Sequence, residues 1–471
     1  MVKILFFSRL RLTELYAKLD VKLKNNFECL HVAYSQHEED ILAEKYNIPV
    51  LYNIQSYIKN FNYEPTQNDL YKLDEIISKF TNNRFNLNSA IQFDRGLHLL
   101  EMQEGYYVAY AYYKFWDDLL KKEKINYIFH ETTSLFFNFI ASVLAIKYNV
   151  IYTDMIELPY QQKGFAFLSS NNGESLEFNK AYKSQNIDFK LIEDFDLFIR
   201  NKYKTIAPLQ IKQNIFKTIL YSLKNELAIT KNYITGKKHK IYSNIDFYIL
   251  KNRKELKRII NLIFYKFIKW DVVDSEDVYY FYPMHIEPEA VVQYWGDGIY
   301  ENQIKLLENI SSQLPVGEYL YVKDHIVDYG YRSFLDYYKL KKISNIKLIK
   351  PTIRGTEVIK TAKAIITING TVGLEALFFH KVVYSFGHIF YNQSKNVCYV
   401  SNIKDLKKHL YRDYEFDTEE NKIFITSYLA IVHKGDIAWF TGAGKKSKDK
   451  RNIDNIAIAI QDFISNTKNA E

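Results

Sequence analysis

Four short stretches carry residue types that handle phosphates and protons. Pro283-Met284-His285-Ile286-Glu287-Pro288-Glu289 groups carboxylates with a histidine, and Val322-Lys323-Asp324-His325 sets a cation beside a second imidazole. Asn369-Gly370-Thr371 is followed by Val372, Gly373 and Glu375, and Phe129-His130-Glu131-Thr132-Thr133 supplies a carboxylate far away in the chain. A lysine and a histidine opposite a helix N-terminus suit a ligand carrying a phosphate, because cationic side chains and free helix N–H groups both complement an anion. His325 is able to hydrogen-bond a phosphoryl oxygen or to protonate a leaving phosphate. Each stretch taken singly also suits a structural role. Only the convergence of the three second-half stretches at one sheet edge tips the balance.

The elements that must position these residues are legible as short buried strands. Ala364–Ile368 and Val382–Phe386 are too short and too β-branched for helices, and a turn at Asn369-Gly370-Thr371 with a helix over Val372–Phe379 joins them. A parallel strand–turn–helix–strand unit aims the helix N-terminus into the crevice at the carboxyl ends of the strands. Thr371 is expected to cap the helix, Gly370 and Gly373 to let a ligand near the backbone, and Glu375 to reach a sugar hydroxyl past a bound phosphate. The same unit is equally an ordinary capped βαβ turn. Further strands are expected at Lys3–Phe7, Cys29–Ala33, Pro49–Tyr52, Asn126–His130 and Val150–Asp154. In the second half they are expected at Val278–Tyr282, Tyr319–Lys323 and Ile346–Ile349. Helical patterns alternate with all of them, including a long one over Leu97–Lys122.

Such alternation predicts an α/β protein with two doubly wound, Rossmann-like domains. The expected layout is a first α/β domain over 1–170, a helical basic insert or connection over 171–275, a second α/β domain over 276–412, and helices over 413–471 that pack back on the domains. Glu131, Asp154 and Glu157 fall near strand ends, where ligands bind in such sheets or where helices are capped. Asp94-Arg95 reads either as a ligand-facing pair or as a cap with a surface ion pair. Asp194-Phe195-Asp196 resembles a metal-binding DxD triplet, but it lies inside a helical pattern and is set aside as a metal site.

Composition bounds the rest. At 471 residues the chain exceeds one ordinary core. Two cysteines, Cys29 and Cys398, argue for a reducing compartment and against a disulfide or zinc framework. No apolar run reaches the roughly 18 residues of a membrane span, and the opening MVKILFFS lacks the pattern of a signal peptide. The expected location is cytoplasmic. The net charge of +8 is concentrated over Lys202–Lys269, which suits either an anionic membrane surface or a solvated helical face. No nucleic-acid signature is present, so nucleic acid is not an expected partner.

The order and spacing of Pro-x-x-x-Glu-Pro-Glu at Pro283–Glu289, Val-Lys-x-His at Val322–His325, and Thr367–Glu375 with Gly387 beyond resemble the capsule polysaccharide biosynthesis family, which includes Kdo- and sialic-acid-type transferases. The resemblance covers roughly 278–410 and extends to the first half only in layout. It implies a GT-B glycosyltransferase with two Rossmann-like domains facing a cleft. The second domain would bind a nucleotide-sugar donor, commonly a CMP-activated acidic sugar of nonulosonic-acid or Kdo type. The first would bind a surface glycan, glycolipid or glycoprotein acceptor.

Carried onto matching positions, Gly370, Thr371, Val372 and Gly373 would hold the phosphate and Glu375 a ribose hydroxyl. Lys323 and His325 would balance the leaving phosphate, with no metal and no cofactor beyond the donor. Pro283 belongs to the donor-side block, and Glu287 and Glu289 would either bind donor hydroxyls or order their loop. Glu131 across the cleft is the candidate base, since a carboxylate is ionised at neutral pH and can take the acceptor proton. Family members commonly have His-Pro where this chain has His325-Ile326, and Ser where Gly370 stands. Two other readings use the same features: a CDP-dependent polyol phosphotransferase or nucleotide-sugar epimerase of the same fold, and a non-catalytic assembly subunit using the basic helices.

Overall fold

The computed structural model describes residues 1–10, 12–158, 164–169, 172–201, 257–258, 260–287, 291–412, 414–437 and 449–468. Two sheets organise the chain. The first contains β1 (Lys3–Ser8), β2 (Glu28–Ala33), β3 (Tyr52–Asn53), β4 (Tyr127–His130), β5 (Ile151–Leu158) and β6 (Gly164–Ser169). The second contains β7 (Tyr279–Pro283), β8 (Tyr319–Lys323), β9 (Ile346–Ile349), β10 (Ala364–Thr367), β11 (Val382–Ser385) and β12 (Val397–Tyr399). A last short strand, β13 (His433–Lys434), returns to the first sheet and pairs with β6.

The strand orders decide where ligands can sit. The second sheet runs β12-β11-β10-β7-β8-β9 with every neighbour parallel, so β7 lies between β8 and β10. The first runs β13-β6-β5-β4-β1-β2-β3, and β1 lies between β2 and β4. In both, the chain order reverses beside the first strand. That switch opens a crevice at the carboxyl ends of the two diverging strands. Near-continuous apolar runs such as Ile4–Phe7 and Tyr279–Tyr282, buried on both faces by helices, are what a parallel sheet requires. The architecture is α/β of the GT-B type, with two Rossmann-like sheets facing one cleft.

Several expectations are corrected. β5 does not stop at Asp154 but runs on to Leu158 and folds back antiparallel as β6, with Asp154 opposite Leu168. Asp154 is therefore buried in mid-strand, and Glu157 is exposed on the hairpin. The long first-half helix begins at Met102, not Leu97, behind a single turn over Leu97–Leu99. The break follows from Asp94, whose carboxylate accepts the N–H groups of Gly96 and Leu97 at 2.7 Å each and that of Phe136. Asp94 is thus a buried cap. Asp194 and Asp196 lie on the helix Phe189–Asn201, with Phe195 between them packed on Phe378 and Tyr428.

The C-terminal helix Lys450–Lys468 packs on the first half, beside the helix Leu12–Leu23 and in one core with Ile4, Phe6, Tyr127 and Phe129. Lys22 and Asp454 bridge the two helices at 2.6 Å. Among the described residues no helix is long and apolar enough to cross a membrane. Most of the basic stretch Lys202–Lys269, namely 202–256, lies outside the described residues, as do Pro288, Glu289 and 438–448.

Candidate active site

The first wall of the cleft is built at the switch between β1 and β4. Phe6 pairs with Phe129, so the chain leaves the sheet side by side at Ser8-Arg9 and His130-Glu131. The Arg9 guanidinium hydrogen-bonds the Glu131 carboxylate and lies over the rings of Tyr34 and Phe137, 5.2 and 5.4 Å from their centroids. Burial disfavours the Arg9 charge, but Glu131 outweighs it and the guanidinium pKa is raised. His130 is stacked on Phe7 at 3.8 Å, and its Nδ1 meets the Phe7 carbonyl at 2.8 Å. A carbonyl only accepts, so Nδ1 carries the hydrogen and Nε2, 3.8 Å from Glu131 Oε1, bears the lone pair. Burial pushes the His130 pKa down to about 4, leaving the ring neutral. Behind it, burial pushes the Asp154 carboxyl up to about 7 although the Thr132 hydroxyl donates to it.

The second wall is built at the switch between β7 and β10. β10 ends in Thr367, whose hydroxyl donates to the Asn369 carbonyl at 2.8 Å, and Gly370 follows at φ 101° and ψ 177°. That backbone region is essentially reserved for glycine. A Cβ there would also stand 3.3 Å from His285 Cε1, so a side chain at this position is disfavoured by both backbone and contact. The helix spans Thr371–Phe378 with Gly370 as its N-cap and no side-chain cap, so Thr371 sits in the first turn and does not cap it. The Tyr391 hydroxyl donates to the Gly370 carbonyl at 2.9 Å, in space that a Cβ at Gly373 would fill. The turn is held from behind while its front faces the cleft.

The remaining expected residues follow along the same edge. Lys323, at the end of β8, is half-buried, and its ammonium makes no hydrogen bond or ion pair among the described residues. Burial lowers its pKa, against the opposing charges of Asp324 and Glu375. His325 opens to solvent, yet its packed flank and the Lys323 charge lower its pKa as well. Glu375 is buried one turn into the helix. Pro283 ends β7 beside Lys323.

Glu287 is occupied by the protein itself. It accepts from Arg332 at 2.9 Å and from Gln303 at 2.6 Å. Arg332 also reaches Asp324 Oδ2 at 3.1 Å and the His285 carbonyl at 3.3 Å, tying the two loops into one block. His285, to which the sequence analysis gave no role, meets Thr367 Oγ1 at 3.2 Å and is driven down to about 3 by burial, then by the charges of His325 and Arg332.

The two walls enclose one cavity of about 430 Å³. Its lining includes His130, Glu131, Thr132 and Ser134 from the first half and Gly370, Thr371 and Leu374 from the second. The structure therefore brings Glu131 together with Gly370 and Thr371. Lys323, His325, Glu375, Val372, Gly373, Pro283 and Glu287 lie outside that lining. Trp295 also lines it, on a segment that joins the halves: Arg84 meets Asp297 Oδ1 at 2.6 Å and the Tyr294 carbonyl at 2.8 Å. Sequence reasoning missed Arg9, whose signal is its place just after the first strand. It also missed Trp295 and the hairpin wall, which carry no motif.

Residues 193–397 match the model of the family described as capsule polysaccharide biosynthesis protein. In this stretch the chain is similar to that family. The matched stretch holds β7 to β11 and with them the whole second wall. Among solved structures, UDP-GlcNAc 2-epimerase from Methanocaldococcus jannaschii is similar at 15% identity over 91% of this chain and 99% of that one, with a TM-score of 0.25. Thermosulfurimonas dismutans KpsC, a beta Kdo 2,7 transferase, is similar at 11% identity over 74% and 89%, with a TM-score of 0.33. Likenesses with such TM-scores carry no argument about activity. No curated protein matches the chain.

Proposed function

We propose that the protein is a glycosyltransferase that moves an acidic sugar, of nonulosonic-acid or Kdo type, from a CMP-activated donor to a hydroxyl of a surface glycan, glycolipid or glycoprotein. The observation that carries this reading is the cavity itself. It sets a carboxylate from one switch point, Glu131, opposite an uncapped helix N-terminus from the other. The match of residues 193–397 to a capsule biosynthesis family model supports the saccharide chemistry.

In this reading the first-turn N–H groups at Thr371, Val372 and Gly373 hold the donor phosphate beside the exposed backbone of Gly370. Glu375 takes a ribose hydroxyl. The acceptor oxygen forms a bond to the anomeric carbon as the bond from that carbon to the phosphate oxygen breaks. The acceptor proton passes to Glu131, and the electron pair leaves with CMP, whose charge Lys323 and His325 balance. Arg9 keeps the Glu131 carboxylate at one orientation without blocking both of its oxygens.

Thermal stabilisation by nucleotides tests the donor assignment. CMP is expected to raise the melting temperature more than CDP or UDP at equal concentration. Stabilisation by UDP alone would reject a CMP donor and favour an epimerase-type ligand. Stabilisation by CDP alone would favour a polyol-phosphate donor.

A further inference from the structure

The cavity has two unlike sides. Its polar side chains are His130, Glu131, Thr132 and Ser134 at the end of β4, Thr371 at the helix start, and Tyr391, whose hydroxyl donates to the Gly370 carbonyl. Most of the remaining wall is hydrocarbon. Met155, Leu158 and Leu168 come from the β5–β6 hairpin of the first half, and Trp295, Ile389 and Phe390 from the second. The hairpin register, from Thr153 opposite Ser169 to Leu158 opposite Gly164, fixes the first group, and the Arg84–Asp297 bridge fixes the position of Trp295.

A sugar hydroxyl pressed on such a wall loses its water and gains no partner, whereas a methyl or acyl group there is favoured by leaving water. Resting on the transferase reading above, we infer that the sugar seated here carries an apolar substituent, an N-acyl or C-methyl group. The β5–β6 hairpin, with Trp295, Ile389 and Phe390, selects it over an acidic sugar bearing only hydroxyls. The polar side keeps the carbon bonded to phosphate near Thr371 and the incoming hydroxyl near Glu131. The apolar side reads the far end of the same ring.

Isothermal titration of the full chain with CMP and two CMP-activated acidic sugars, one N-acylated and one carrying only hydroxyls, tests this. The N-acylated sugar is expected to bind at least about tenfold tighter, the discrimination one apolar group gives in a fitted pocket. Equal affinities, or a preference for the hydroxylated sugar, overturn the inference while leaving CMP binding and the transferase reading intact. Binding of none of the three overturns the transferase reading and the inference with it. Ile389→Thr, which shortens the side chain and puts a hydroxyl on the wall and whose fold is checked by its melting temperature, is expected to narrow the ratio. An unchanged ratio removes this wall as the selector.

Discussion

Replacing Gly370 by alanine isolates the phosphate turn from everything around it. Gly370 stands at φ 101° and ψ 177°, where a residue with a Cβ costs about 1–3 kcal/mol. The new Cβ would also press on His285 Cε1 at 3.3 Å. That ring has little freedom to retreat, because its Nε2 meets Thr367 Oγ1 and its backbone N–H donates to Gln303 at 2.8 Å. The turn must therefore rotate, and the first N–H groups of Thr371–Phe378 lose their aim. If the strain is relieved at the expense of nucleotide contacts, 1–3 kcal/mol corresponds to roughly a 5- to 150-fold weaker complex. Titration calorimetry with CMP measures this directly. Gly355→Ala is the matched control: it opens the helix Gly355–Thr361, and nothing lies within 4 Å of its added Cβ. CMP affinity is expected to fall in the Gly370 variant and to hold in the control. Wild-type affinity in Gly370→Ala would refute the turn as a phosphate seat.

Other perturbations give separate readouts. Lys323→Gln removes a half-buried cation without an ion-pair partner among the described residues, so CMP affinity is expected to drop about tenfold or more, with a shallower salt dependence; unchanged affinity and salt slope would remove Lys323 from the donor site. Asp154 has a folded pKa raised to about 7 from an ordinary 3.8, so the folded state binds more protons than the unfolded one between these values. Stability is therefore expected to fall as pH rises through that window, by on the order of 4 kcal/mol in full, and Asp154→Asn is expected to flatten the slope in denaturation measured from pH 4 to 8, with Asp328, raised to about 6, keeping its own share. Arg9→Ala frees the Glu131 side chain from its partner, and turnover is expected to fall while CMP affinity holds, since Arg9 touches only the first wall. Equal losses of both would place Arg9 on the nucleotide.

The second half was legible in the sequence because its chemistry sits at strand ends. Tyr279–Tyr282, Tyr319–Val322 and Ala364–Thr367 are buried runs whose carboxyl ends are marked by His285, Lys323 and Gly370, and a parallel sheet aligns those ends. What stayed hidden depends on contacts distant in sequence. The strand order that puts Arg9 beside Glu131 has no periodic signature, and the two residues are separated by more than a hundred positions. Asp154 looked like a strand end because an acidic residue interrupts the apolar run; hairpin pairing with Leu168 carried the strand past it. Thr371 looked like a cap by residue type, but the positive φ of Gly370 moves the helix start one residue earlier than a threonine cap would allow. β12 and β13 are too short to show alternation. The Glu287 carboxylate reads in the sequence equally as a donor ligand or as a loop-ordering group, and Arg332, 45 positions away, takes it.

The central claim is that Glu131 activates an acceptor hydroxyl against a CMP-activated sugar held at Gly370–Gly373. Nucleotide release from a panel of CMP-activated acidic sugars, supplied with glycan acceptors, compares the wild-type chain with Glu131→Gln most directly. The wild type is expected to release CMP, and the variant to do so about 10²- to 10⁴-fold more slowly with unchanged CMP affinity. Release at the wild-type rate by Glu131→Gln, or release from UDP-sugars alone, would contradict the account.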